Sequence, residues 1–248
     1  MKLDPKHPLY VIGFTAVFSA VLTSGIAALQ VATAGRVARN ETLRRDRALV
    51  RLFADAWGIE DASRLSDREV ARLVEARIDA GRTVADPAAH PPVSFRLYEA
   101  YQTDRRDRVI GMAVPIGGNG FWAPIRGLVA LDPQAKEVLG LEFVEQAETP
   151  GLGGRIMERA FQDQFRKGVR EAAGRPPLRA TPPEPGGKYL YIGRGTPTGP
   201  SDPRFGRSVD AITGATQTSL AVERFLNQDL QEFHEAWQAG AKRPLEGR

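Results

Sequence analysis

The chain has 248 residues, 42% hydrophobic and 26% charged, which suits one sizeable core with accessories or two small domains. Its net charge of +4 is dispersed among many acidic residues, and no Lys/Arg stripe with interleaved aromatics marks a nucleic-acid binder. Cysteine is absent, which excludes disulfides, thiol nucleophiles and cysteine-ligated clusters; His7, His90 and His234 lie far apart in sequence, so redox chemistry requires an organic cofactor.

Leu9 to Ala34 carries no charge, and at ~1.5 Å per residue it exceeds the ~20 residues that cross a bilayer. A retained transmembrane anchor is expected over residues 1–35. The competing reading is a cleaved signal peptide, with Lys2 and Lys6 as its basic start and Ala32-Thr33-Ala34 as a small-x-small site. Signal cores run to only ~7–15 apolar residues, however, and this run is longer. Arg36, Arg39, Arg44, Arg45 and Arg47 follow the span, and by flanking charge they would keep the rest of the chain in the cytoplasm.

Leu43, Val50, Phe53 and Trp57 recur at near-helical spacing, so Arg36 to Trp57 is expected to be a helix. Ser66-Asp67-Arg68-Glu69 has the form of a capping box, followed by the apolar stripe Val70, Leu73, Val74 and Ile78. These helices are expected to form a packing stalk over residues 36–90. Phe95–Gln102, Val109–Ile116, Ile125–Asp132 and Val138–Gln146 are apolar or alternating runs expected as strands, with a hairpin at Asp132–Lys136. Ile156 to Lys167 is expected to be helical, with Ile156, Ala160, Phe161 and Phe165 on one side. Gly174 to Gly187, rich in Pro and Gly, is expected to be an extended surface loop. Strands at Tyr189–Gly193 and Val209–Ile212 and an amphipathic helix from about Thr218 to Ala239 complete the chain. The fold class expected is α+β, its sheet rich in antiparallel strands and packed by helices, over residues 91–248.

Asp210-Ala211-Ile212-Thr213-Gly214-Ala215-Thr216-Gln217-Thr218-Ser219 is the most informative stretch. It combines a short strand, a glycine turn and a helix start crowded with hydroxyls. The free N–H groups of that helix form an anion site, and Thr216, Thr218 and Ser219 supply hydroxyls beside it. The bland alternative makes Thr216 or Thr218 an N-cap. A second block, Glu148-Thr149-Pro150-Gly151-Leu152-Gly153-Gly154, is by itself an ordinary turn between elements. A third, Gly118-Asn119-Gly120-Phe121-Trp122, places two aromatics beside glycines; these could face a planar ring or lie in the core.

Thr213-Gly214-Ala215-Thr216 resembles the Ser/Thr-Gly-Ala-Thr signature of the FMN-binding domain family. That family includes the C subunit of the Na+-translocating NADH:quinone oxidoreductase and the G subunit of the related Rnf complex. Glu148–Gly153 matches the Glu-Thr-Pro-Gly-Leu-Gly segment of both. The resemblance implies FMN joined covalently to Thr216 by a phosphoester, installed by a flavin transferase that recognises Asp210. It makes Thr213, Gly214, Ala215, Thr218 and Ser219 cofactor-binding candidates, together with Glu148, Thr149, Gly151, Leu152 and Gly153. It further implies an electron-transfer subunit in a bacterial inner-membrane complex that couples NADH:quinone reductase activity to Na+ translocation, with other membrane subunits and the lipid bilayer as partners. The FMN domain would face the periplasm or outside, against the flanking arginines. No Gly-x-Gly-x-x-Gly follows a strand, so NADH would bind elsewhere. An Rnf-type G subunit, a stand-alone membrane-anchored flavoprotein and a non-flavinylated anchor domain are the alternatives. The Pro-rich stretch before Tyr189 departs from the family pattern.

Overall fold

A computed structural model describes residues 8–87, 89, 91–193, 195, 197 and 199–241. Lys2, Lys6, His7 and His90 lie outside the described residues. The chain divides into two compact units, Met1–Arg44 and Arg45–Arg248. One helix, α1 (Pro8–Phe53), contains both the apolar span and most of the expected stalk helix. Its apolar stretch is long enough to cross a membrane, and its large side chains there, such as Leu9, Ile12, Phe14 and Val17, are exposed.

The second unit holds the remaining elements: α2 (Asp67–Arg77), β1 (Ile78–Asp79), β2 (Thr83–Asp86), β3 (Val93–Arg96), β4 (Tyr98–Tyr101), β5 (Val109–Asn119), β6 (Pro124–Leu131), β7 (Glu137–Glu145), α3 (Arg159–Gln162), α4 (Lys167–Ala172), β8 (Leu178–Arg179), β9 (Tyr191–Gly193), β10 (Ser208–Asp210) and α5 (Thr216–Ala241). Six strands form one antiparallel sheet in the order β1-β4-β5-β6-β7-β8. β2 pairs with β3 antiparallel, and β9 with β10 in parallel. The α+β architecture and antiparallel-rich sheet are thus as expected.

Period-two alternation decides the layers. Met112, Val114 and Ile116 of β5, with Val129 and Leu131 of β6, join a core closed by Val222, Phe225, Leu226, Leu230 and Phe233 of α5. Ala113, Leu128 and Ala130 point to the opposite face, against Ala48, Leu49, Leu52 and Phe53 of α1. Part of the expected stalk therefore falls within the second unit: Ala48, Leu49, Leu52 and Phe53 of α1, with Trp57 and Val74, cover one face of its sheet, whereas Val84 of β2 joins the core on the α5 side. The capping box forms: Glu69 N–H donates to Ser66 Oγ at 3.4 Å, and Ser66 N–H donates to Glu69 Oε2 at 2.8 Å.

On its other face the sheet meets α5 closely. A Cβ on Gly118 would stand 2.6 Å from the Cβ of Phe225, so a residue with a side chain there would push α5 away. The hairpin between β6 and β7 closes on Asp132, whose N–H donates to Glu137 O at 3.0 Å and whose Oδ1 accepts from Glu137 N–H at 2.8 Å.

Three expectations are corrected. The helix expected over Ile156–Lys167 is instead a 3-10 turn (Gly153–Met157), α3, a second 3-10 turn (Asp163–Phe165) and then α4, because Glu158 and Arg166 adopt extended backbone and interrupt it. Ile156, Phe161 and Phe165 are buried as expected, whereas Ala160 is exposed. Within the expected loop Gly174–Gly187, β8 pairs with the start of β7 and Leu178 and Ala180 are fully buried. Neither β2 nor the separate start of β3 at Val93 was expected, since both are four residues long and lie among Pro and Ala.

Candidate FMN-binding cleft

A cleft of about 330 Å³ opens between the loop after β5, the loop after β7 and the start of α5. Its lining includes Phe121, Trp122, Glu148, Leu152, Thr216 and Thr218. The three motifs, remote in sequence, thus meet at one place.

Glu148 joins them. It is only 4% exposed, and its Oε1 accepts from the N–H of Trp122 at 2.9 Å and of Ala123 at 3.2 Å. Its Oε2 accepts from the Thr218 hydroxyl at 2.7 Å. Desolvation pushes the Glu148 carboxyl up, but the N–H donors of Trp122 and Ala123 with the Thr218 hydroxyl outweigh it and hold the group below the ordinary carboxylate range. Glycines make room for this carboxylate on both sides. A Cβ on Gly120 would lie 2.4 Å from Glu148 Oε1, and one on Gly153 would lie 2.4 Å from Thr218 Oγ1 and 2.7 Å from Glu148 Oε2.

Gly214 turns the chain into α5 with φ of +84°, in the left-handed region open to glycine. The Ala215 N–H closes that turn on Ile212 O at 3.0 Å, and α5 begins at Thr216. Thr216 and Thr218 therefore lie inside the first turn, not at an N-cap. Among the described residues, the N–H groups of Thr216, Gln217 and Thr218 have no partner within the chain, as the start of a helix leaves them. The two threonines differ in access. Thr218 is 3% exposed and its hydroxyl is committed to Glu148, whereas Thr216 is exposed with its hydroxyl engaged by no other described residue.

Phe121 and Trp122 are 56% and 71% exposed, which overturns a core role for them. Their rings meet edge-on at 5.1 Å, and Leu152, itself exposed, adds a third apolar side chain to this rim. Exposed aromatics beside unpaired N–H donors present an apolar surface for a planar ring and a polar end for its phosphate. The residues present therefore fit FMN in kind.

Of the residues expected at the site, Glu148, Thr149, Leu152, Gly153, Gly214, Ala215, Thr216 and Thr218 line the cleft. Ser219 lies beneath it, 1% exposed, its Oγ accepting from the Ile212 N–H at 3.2 Å. Gly151 and Thr213 are exposed residues of the two turns and do not line the cleft. Asp210 lines a second cavity of about 170 Å³ with Arg170, Arg175, Phe205 and Ser208, and its carboxylate is 3.9 Å from Arg175. Gln217 is the lining residue that motif matching passed over; its place between two threonines in the first turn was its only signal. His234 is buried, with both ring nitrogens 2.9 Å from carbonyl oxygens of Leu230 and Ala135, so it is taken up by packing.

Residues 120–231 match the family model of the FMN-binding domain. The C subunit of the Na(+)-translocating NADH-quinone reductase of Neisseria meningitidis (serogroup A) is 35% identical over 126 residues, covering 50% of this chain and 43% of that protein. The corresponding C subunit of Chlamydia caviae is 34% identical over 128 residues, covering 50% of this chain and 39% of that protein. The match spans less than half the length of these relatives. In fold, NqrC of Shewanella oneidensis superimposes with a TM-score of 0.54 at 16% identity, covering 79% of this chain and 98% of that one. The C subunit of the Parabacteroides distasonis reductase superimposes with a TM-score of 0.57 at 18% identity, covering 80% and 94%. In sequence and in fold, this chain resembles the FMN-binding domain family and, within it, the C subunit of the Na+-translocating NADH-quinone reductase.

Proposed function

We propose that this chain is the membrane-anchored electron-transfer subunit of a Na+-translocating NADH:quinone oxidoreductase, carrying FMN through a phosphoester to Thr216. The observation that carries the proposal is the exposed Thr216 hydroxyl at the start of a long helix, opening on a cleft rimmed by Phe121, Trp122 and Leu152. When bound, FMN supplies a centre that accepts two electrons and releases them singly.

The chain's own residues would hold it. The first-turn N–H groups of α5 and its dipole favour a phosphate, while Phe121, Trp122 and Leu152 would flank the ring. Neither Lys nor Arg lines the cleft among the described residues. A phosphomonoester carries about −1.5 to −2 charges near neutral pH, whereas a phosphodiester retains one ionisable oxygen. A helix start without basic side chains suits the diester better, which favours the covalent form. Glu148 holds the loops around the cofactor, since its oxygens are already occupied. The Asp210 carboxylate, exposed and 3.9 Å from Arg175, is open to a flavin transferase. The anchor is α1, with the FMN domain on the periplasmic or outer face of the inner membrane.

The test is ultraviolet fluorescence of the denatured protein band after co-expression with a flavin transferase. The wild-type band is expected to fluoresce and Thr216→Val to be dark, with both folding equally. A dark wild-type band, with the transferase active on a control substrate, would refute the covalent assignment. Membership of the complex is tested by whether the tagged chain co-purifies with NADH-oxidising and quinone-reducing subunits.

A further inference from the structure

The apolar stretch of α1 ends in arginines that nothing in the chain uses. Arg36, Arg39 and Arg44 are exposed and, among the described residues, have no carboxylate or hydrogen-bond partner within the chain. The arginines after them are engaged: Arg45 with Asp46 at 2.9 Å, Arg47 with Asp67, and Arg51 with Glu142 at 3.5 Å. Glu41 is the one acid between Ala34 and Arg45.

Helix geometry fixes where the three free guanidinium groups would lie. From Leu9 to Ala34 the helix rises ~39 Å at 1.5 Å per residue, against a hydrocarbon core of ~30 Å. Arg36 is ~3 Å beyond Ala34 along the axis, Arg39 ~8 Å and Arg44 ~15 Å. With Ala34 at the edge of the hydrocarbon core and ~5–7.5 Å for each headgroup layer, Arg36 falls inside that layer and Arg39 at its outer edge. Arg44 stands ~8–10 Å beyond that layer, and long flexible stems let the three reach back toward the phosphates. At 100° per residue the three positions also fall within about 140° of one another around the helix, so they form a stripe rather than a ring.

We infer that Arg36, Arg39 and Arg44 form a binding site for the headgroups of anionic phospholipids, one that holds several such lipids against α1. The inference rests on the anchor reading of α1. Guanidinium groups match phosphate bidentately, and their attraction to an anionic surface acts within a Debye length. The bound lipid would supply the counter-charge that the chain itself provides for Arg45, Arg47 and Arg51.

The test uses the full chain reconstituted in phosphatidylcholine vesicles containing trace spin-labelled phosphatidylglycerol or spin-labelled phosphatidylcholine. The measured quantity is the ratio of the two lipids' association with the protein, read from the motionally restricted component of the spectrum. The wild type is expected to prefer phosphatidylglycerol several-fold, against an upper limit of ~5-fold per arginine. The preference should shrink as salt rises from ~0.01 M to ~1 M, where the Debye length falls from ~30 to ~3 Å. The triple substitution R36Q/R39Q/R44Q should bring the ratio to about 1. A charge-matched control, R68Q/R72Q/R108Q, alters exposed arginines of the second unit and should leave the preference intact. A ratio of 1 in the wild type, or an equal loss in both triple variants, would overturn the site while leaving the anchor standing. Absence of any restricted component for either lipid would overturn the anchor itself, and the site with it.

Discussion

Replacing Glu148 by glutamine separates its charge from its shape. The carboxylate accepts from two backbone N–H groups, of Trp122 at 2.9 Å and Ala123 at 3.2 Å, and from the Thr218 hydroxyl at 2.7 Å. The glutamine amide oxygen can keep the two N–H donors, and its NH2 can donate to a Thr218 hydroxyl that turns round to accept. Count and geometry survive, but the charge assistance does not. Hydrogen bonds to charged groups contribute ~1.5–3 kcal/mol against ~0.5–1.5 for neutral ones. Strain-free exchange of three such bonds, partly compensated by removing a buried charge, puts the loss near ~2 kcal/mol. For a unit of this size that corresponds to a fall in Tm of ~4–8 °C.

The pH dependence follows from the same group. Its folded pKa lies below the ordinary 4.5, so Glu148 contributes stability fully present above that value and lost as pH falls through the lower folded value. The gap between wild type and Glu148→Gln should therefore be constant from pH 6 to 8 and close in acid. Tryptophan fluorescence of the full chain in detergent, followed through thermal unfolding, measures it. Flavin incorporation at Thr216 should fall in the variant, since the loop after β7 and the start of α5 lose their common anchor. An unchanged Tm with full incorporation would refute the role given to Glu148.

Three further outcomes are expected. Burial raises the Asp229 carboxyl from 3.8 to about 6 while it accepts the Gly117 N–H at 2.8 Å, so its ionisation costs stability that wild type loses as pH rises from 3.8 to about 6. Asp229→Asn, keeping the acceptor, should stabilise by on the order of 3 kcal/mol at pH 7.5 and by on the order of 1 kcal/mol at pH 4.5, measured by denaturant unfolding at both. Gly153→Ala, whose Cβ would collide with Thr218 and Glu148, should cost ~1–3 kcal/mol, whereas Gly193→Ala, whose Cβ meets nothing within 4 Å, should change stability by less than ~0.5 kcal/mol. Trp122→Ala, at a 71% exposed position, should leave the Tm within error but brighten the emission of protein-bound flavin by removing a quenching ring.

Local pattern carried much of this protein. The charge-free run of α1, the Ser66–Glu69 box, the apolar stripe of α5 and the strands β5, β6 and β7 are each written in neighbouring residues. Their determinants are periodicity and capping, which act over a few residues and need no knowledge of the fold. The Thr213–Thr216 stretch was legible for the same reason, as a glycine turn ahead of a hydroxyl-rich helix start.

What the sequence left open depended on contacts between distant segments. β2, β3 and β8 are strands of two to four residues whose apolar content is too small to announce them; pairing partners make them strands. Whether Phe121 and Trp122 face solvent or core is decided by how the loop after β5 is tied down. Its tie is Glu148, 26 residues beyond Trp122 and 70 residues before Thr218. That carboxylate carries a cofactor-motif residue type yet spends its oxygens on the protein, and no spacing rule distinguishes the two uses. The same contact separates the two threonines: it buries the Thr218 hydroxyl and leaves that of Thr216 exposed. Composition, periodicity and local motifs therefore determined the elements and the neighbourhood of the site, while the tertiary hydrogen bonds of one buried carboxylate decided which hydroxyl is available for chemistry.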